Sequence, residues 1–256
     1  MFPEELGEEK ETQAEDAAIS GFSENTETGT VLTAARSGYL QAIDSEGLIR
    51  TAAQNDIVIK MEVRPGHFIT TGNKIAYVIP ASHADEELEK KINAAFLLGS
   101  NRNQEQDVEF AVGQLVEVAS RALSPGINDF QTAIVCIDWL GSSLSFLAKR
   151  KLPSKFRYDS DGTLRVITQT ETFTGAVDAA FKPLRQFSRT NLPVALRLLE
   201  VIAIIGHQLS REEDRKSLIR HVEAIQEDSI RQHMNKGDLA AVEQRAEAAL
   251  EVLQAR

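Results

Sequence analysis

Apolar and polar positions divide the chain into stretches with different periods. From Val31 to Pro80 the apolar residues come in short runs, 31–35, 39–43, 57–63 and 74–79, separated by Gly38, Gly47, Pro65-Gly66 and Gly72-Asn73. Runs rich in branched side chains between turn formers predict strands. Residues 45–53, lying between the second and third runs, predict a short helix. Together these elements read as a small β-module over 31–83, in the form of a compact half-open barrel.

Beyond Ser82 the apolar spacing changes to threes and fours. Asp85-Glu86-Glu87 opens a helix with Leu88, Ile92, Ala95 and Phe96 on one face and Gly99 as its end, and acids in a first turn suit the positive end of the helix dipole. A second helix is predicted over 105–123, with Val108, Ala111, Leu115, Val118 and Ala122 turned inward. Ser124-Pro125-Gly126 interrupts it, and Asn128 or Asp129 is suited to cap a third helix running to 148. A hairpin is expected around Asp161-Gly162. Helices over 174–187, 193–207 and 211–234 follow, and Asp238 is expected to cap a last one to Leu253. Pro183 should bend or break the first of these. The fold class is therefore α+β, a small N-terminal β-module followed by a mainly α-helical bundle with one hairpin over 84–256.

Charge alters the picture at the N-terminus. Of the net −10 carried by 256 residues, −8 falls within residues 1–30. That stretch has little to bury and predicts an acidic, disordered linker. An acidic balance argues against a nucleic-acid partner, which requires a basic surface. The lone Cys136 excludes a disulfide framework and multi-cysteine metal centres. Five histidines show no pair at helical spacing beside an acid, so neither a metal nor a cofactor is expected. The richest apolar stretches, 132–140 and 198–206, fall short of the ~20 residues of a spanning helix and carry Asp138 and Glu200.

The candidate chemistry lies between Arg102 and Asp138. Asp107, Gln114 and Arg121 recur at intervals of seven and form one stripe on the second helix. If the second and third helices fold back as an antiparallel pair about Gly126, Gln114 comes level with Asp138, whose carboxylate sits in an apolar run and needs a partner. The turn Ser124-Pro125-Gly126-Ile127-Asn128-Asp129 offers a hydroxyl, a glycine suited to a left-handed conformation and the free amides of a helix start, a combination that can hold a small anion. Asp129 would compete with such an anion, and Arg121 would either compensate Asp129 or add to the site. Ordinary hydrogen-bonded turn and core chemistry explains the same residues.

Arg102-Asn103-Gln104-Glu105-Gln106-Asp107 and Arg121-Ala122-Leu123-Ser124-Pro125-Gly126-Ile127-Asn128-Asp129 resemble the signature of a bacterial predicted-membrane-protein family, domain of unknown function 2254. Ser37 to Asp44, Arg64 to Phe68 and Asp161 to Arg165 are similar to further segments of it. The resemblance implies the soluble C-terminal region of a longer inner-membrane protein, facing the cytoplasm beneath its own transmembrane part. Two departures stand out: Phe130 replaces the family's proline after Asn-Asp, and Asn103 replaces a threonine. The resemblance carries no activity with it.

Two functions fit. One is a non-enzymatic domain that assembles or regulates its transmembrane part as a homo-oligomer and senses a small anion, with Arg102, Asp107, Gln114, Arg121, Ser124, Asn128, Asp129 and Asp138 as the candidate ligand-binding or structural polar cluster. The other is a membrane-tethered hydrolase or transferase acting on an anionic or lipid-derived substrate, with Asp107 or Asp129 as base and the arginines as clamps. Catalysis requires these groups to converge on an open pocket, whereas assembly leaves them paired.

Overall fold

The computed structural model describes residues 29–231 and 235–255. The acidic leader, apart from its last two residues, lies outside them, as does His233. The described chain is α+β, with two sheets and eight α-helices, and it divides into two units.

The first unit comprises the described residues up to Phe110 together with Leu152–Thr170. Its strands are β1 (Thr30–Thr33), β2 (Gly38–Ile43), β3 (Val58–Met61), β4 (Phe68–Ile69), β5 (Lys74–Ile79), β6 (Phe96–Gly99), β7 (Phe156–Tyr158) and β8 (Leu164–Ile167). They form two sheets, of order β1-β5-β3-β8-β7 and β4-β2-β6, in place of the single half-open barrel expected. Helix α1 (Ser45–Gln54) is capped by Asp44, and α2 (Glu86–Ala94) by Asp85, whose carboxylate accepts from the Leu88 amide at 2.7 Å. Leu32, Leu40, Leu48, Ile59, Ile75 and Ile92 fill one apolar core shared by sheets and helices.

The boundary expected at 83/84 is displaced. Helix α2 and β6 belong to the first unit, because Phe96 to Gly99 is not the end of a helix but a strand paired with β2. The hairpin β7–β8 joins it too, through parallel pairing of Ile59 and Lys60 with Val166 and Ile167. Such pairing links segments a hundred residues apart and leaves no local trace in the sequence.

The second unit comprises Ala111–Lys151 and Glu171 onward. Helix α3 (Val108–Ala122) runs across the division, and α4 (Phe130–Ala148), α5 (Phe173–Ser188), α6 (Leu192–Gly206), α7 (Glu212–Arg231) and α8 (Lys236–Gln254) follow. The strongly apolar α6, charged only at Arg197 and Glu200, packs against α4, α5, α7 and α8. Gly141 permits the α4–α6 approach, since a Cβ there would meet the Val201 side chain at 2.4 Å.

Several local expectations shift. On α3 the buried positions are Val112, Val116, Ala119 and Ala122, whereas Val118 is exposed; an apolar-rich helix offers two overlapping stripes, and spacing alone did not choose between them. Helix α5 is not broken at Pro183: its flanks Ala180, Phe181 and Leu184 are fully buried, and that burial outweighs the lost hydrogen bond. Asn235, not Asp238, caps α8, accepting from the Asp238 amide at 2.9 Å. Helix α4 extends well beyond the apolar stretch 132–140 and, with 19 residues and mean hydropathy 1.3, is long and apolar enough to cross a membrane. Eight of its residues are nevertheless buried in the protein, and it packs on α6 and α5.

Candidate functional site

The Arg64–His67 turn and the segment from Arg102 to Phe110 come together in the first unit. The turn is tied to β2 by two backbone bonds, Gly66 N–H donating to Leu40 O at 2.8 Å and Leu40 N–H to His67 O at 2.9 Å. The segment before α3 is tied to the same strand by side chains. Gln41 Nε2 donates to Asn101 O at 2.7 Å, and the Ile43 amide donates to Gln106 Oε1 at 3.1 Å.

These ties set Arg102 against Asp107. The guanidinium donates through Nε and Nη2 to the two carboxylate oxygens at 2.8 and 2.9 Å, a bidentate geometry that combines charge and direction. Asp107 is 1% exposed and also accepts from the Phe110 amide at 2.9 Å, so one carboxylate both pairs with the arginine and caps α3. Gly66 lies directly on this pair. Its φ is +92°, and a Cβ would meet Asp107 Oδ2 at 2.4 Å and Arg102 Nη2 at 3.1 Å. Beside it Arg64 pairs with Glu109 at 2.8 Å. Burial, and then the Arg64 charge, hold the His67 imidazole below its usual pKa. The cluster balances two arginines against two carboxylates around a neutral histidine.

The α3–α4 turn, in the second unit, is built differently from expectation. The left-handed residue is Asn128, with φ of 50°, not Gly126. Ser124 Oγ donates to Arg121 O at 2.7 Å, and Ser124 O accepts from the amides of Ile127 and Asn128. Asp129 caps α4, accepting from Thr132 Oγ1 at 2.5 Å and from the Thr132 amide at 3.1 Å; the hydroxyl bond foremost holds its carboxyl below the usual range. Arg121 pairs with Glu117 on its own helix rather than with Asp129. Gln114 is exposed and does not meet Asp138.

Asp138 finds its partner on α6. Arg197 Nε donates to it at 2.5 Å, Arg197 Nη1 reaches Glu200 at 2.9 Å, and Arg245 of α8 pairs with Glu200 at 2.9 Å. The antiparallel arithmetic that selected Gln114 failed because α4 packs on α6 and α5, not along α3. A signal was available, since Asp138 and Arg197 are charges lodged in two strongly apolar helices and opposite charges so placed pair with each other.

The eight candidate residues thus fall into separate settings. Arg102 and Asp107 meet in the first unit, while the others belong to the turn, the α3 surface and the α4–α6 interface. Arg64, Gly66, His67 and Glu109 were missed as partners of Arg102 and Asp107. The Pro65-Gly66 pair was the available sign, since glycine after proline in a turn readily takes a positive φ. In the hairpin, Arg165 bridges Asp159 at 2.7 Å and Asp56 at 2.9 Å. Among the described residues no group of three or more His, Cys, Asp or Glu is placed to hold a metal ion.

The chain is 25% identical over 231 residues to the uncharacterized proteins Rv1290c of Mycobacterium tuberculosis and Mb1321c of Mycobacterium bovis, covering 87% of this chain and 44% of each relative. It therefore spans less than half the length of the relatives it matches. No solved structure matches it. Residues 3–203, which include the Gly66–Arg102–Asp107 cluster and the α3–α4 turn, match the family described as predicted membrane protein (DUF2254), and the chain belongs to that family.

Proposed function

We propose that this chain is a globular, non-enzymatic part of a bacterial inner-membrane protein, lying on the cytoplasmic side and serving to assemble or regulate the transmembrane part as a homo-oligomer. The observation that carries this reading is the engagement of every candidate carboxylate. Asp107 is taken up by Arg102 and the Phe110 amide, Asp129 by Thr132 and Asp138 by Arg197. A general base must be able to receive a proton from substrate, and a bidentate arginine or a capping bond opposes that. The reading of a hydrolase or transferase on an anionic or lipid-derived substrate therefore has less support.

Family membership and the greater length of the relatives support the membrane setting, and the lone free, buried Cys136 suits a reducing compartment. Sensing of a small anion at the α3–α4 turn is the least supported part, because the Asp129 carboxylate occupies the start of α4 and Glu117 occupies Arg121. Light scattering tests the assembly reading: a mass of at least twice 28.2 kDa is expected. A monomer at high protein concentration contradicts it.

A further inference from the structure

Helix α4 carries an uncovered apolar face. Val135, Trp139 and Phe146 share one side of the helix and are 54%, 62% and 57% exposed; Ile204 on the neighbouring α6 is 49% exposed. Between the two helices opens a groove of about 370 Å³ lined by Gly141, Val201 and Ile204 and by the polar Ser142, Ser145 and Lys149. Clustered exposed apolar side chains of this kind mark an interaction surface.

The charges around the face are unevenly settled. Asp138, Arg197, Glu200 and Arg245 form a closed chain of ion pairs with no net charge. At the C-terminal end of α4, Lys149, Arg150 and Lys151 follow one another, and the Arg150 guanidinium lies over the Phe146 ring at 4.2 Å. Lys149 and Lys151 are exposed and enter no ion pair among the described residues. The face therefore presents two aromatic side chains and an aliphatic one ending in a cluster of cations.

We propose that this face of α4 docks on the surface of an anionic phospholipid bilayer, as a peripheral contact and not as a span. Apolar side chains enter the boundary between headgroups and acyl chains, tryptophan favours that level, and lysines meet the phosphates. A second copy of the chain is the less suited occupant, because the acids it could set against these cations, Asp129 capping α4 and Asp138 within it, are already bonded to Thr132 and Arg197, whereas an anionic bilayer offers a continuous negative surface.

Trp139 is the only tryptophan in the sequence, so its fluorescence reports this face alone. The 256-residue chain is titrated with phosphatidylglycerol vesicles and, separately, with phosphatidylcholine vesicles, following emission and co-sedimentation. Expected are a blue shift and co-sedimentation with phosphatidylglycerol and neither with phosphatidylcholine. The combined variant Lys149→Gln/Lys151→Gln should weaken binding on the order of tenfold or more, and Phe146→Ser should weaken it without changing the salt dependence. An unshifted spectrum at millimolar phosphatidylglycerol, or equal binding to both lipids, overturns the proposal. So does a blue shift that grows with protein concentration in the absence of lipid alongside a doubled mass, which assigns the face to a second copy. An oligomer whose Trp139 emission stays that of a water-exposed indole leaves the face to the lipid and places assembly elsewhere.

Discussion

At the scale of single residues, two positions depend on backbone conformations that most side chains resist. Gly66 combines a φ of +92° with contact against Asp107 and Arg102. Gly66→Ala should therefore cost about 2–3 kcal/mol, read as a lower denaturant midpoint with unchanged slope. Asn128 holds a φ of 50° in the α3–α4 turn, where a branched side chain is strained and glycine is not. Asn128→Val is expected to lose about 1–2 kcal/mol while Asn128→Gly stays within ~0.5 kcal/mol of the parent, a contrast that thermal melts resolve. Equal losses in the two variants would mean that the Asn128 side chain, and not its backbone, matters.

At the scale of elements, the close approach of α4 and α6 rests on Gly141. A methyl group there meets Val201, a stiff β-branched side chain, so Gly141→Ala should destabilise by about 1–3 kcal/mol despite alanine's better helix propensity. An increase in melting temperature would show that the two helices can separate at no cost. Elements of this size were largely legible in the sequence. The strand runs, α1, the Asp129 cap and the helices of the second unit follow from period, branching and capping residues, all of which act within a few positions. Apart from local choices between neighbouring residues, such as Asn235 over Asp238 as a cap and Asn128 over Gly126 as the left-handed residue, the failures share one physical cause, which is that the deciding contact lies far away in sequence. Phe96 joins a strand because β2 is available to pair with it. Asp138 turns to Arg197 because α4 meets α6, and the Arg102–Asp107 pair sits under Gly66 because β2 gathers both segments. A helical period fixes which residues share a face, but not which neighbour that face will meet.

At the scale of the whole molecule, stability should respond to protonation of a buried histidine. His221 on α7 bonds Asp178 of α5 at 2.9 Å, yet burial, helped by Lys182 and Arg185, keeps its pKa below 6.5. As pH falls through 6.5 the unfolded chain gains a proton that the folded one resists, so stability present above that value declines. The parent should lose more melting temperature between pH 7 and pH 5 than His221→Gln does, and parallel profiles would remove His221 from the account. The proposed non-enzymatic reading expects the Gly66–Arg102–Asp107 cluster, whose carboxylate is held by Arg102 and the Phe110 amide, to contribute to stability. Groups kept for catalysis are often held at a cost, so their removal tends to leave stability unchanged or raised. Asp107 is almost wholly buried and Arg102 about one-third exposed, so their bond is partly screened but not lost to solvent. A double-mutant cycle of Asp107→Asn and Arg102→Gln in chemical denaturation is the most direct measurement. The account predicts that Asp107→Asn alone costs about 2–3 kcal/mol and that the pair is coupled by about 2 kcal/mol. An Asp107→Asn protein as stable as the parent or more so, with no coupling to Arg102, would contradict it.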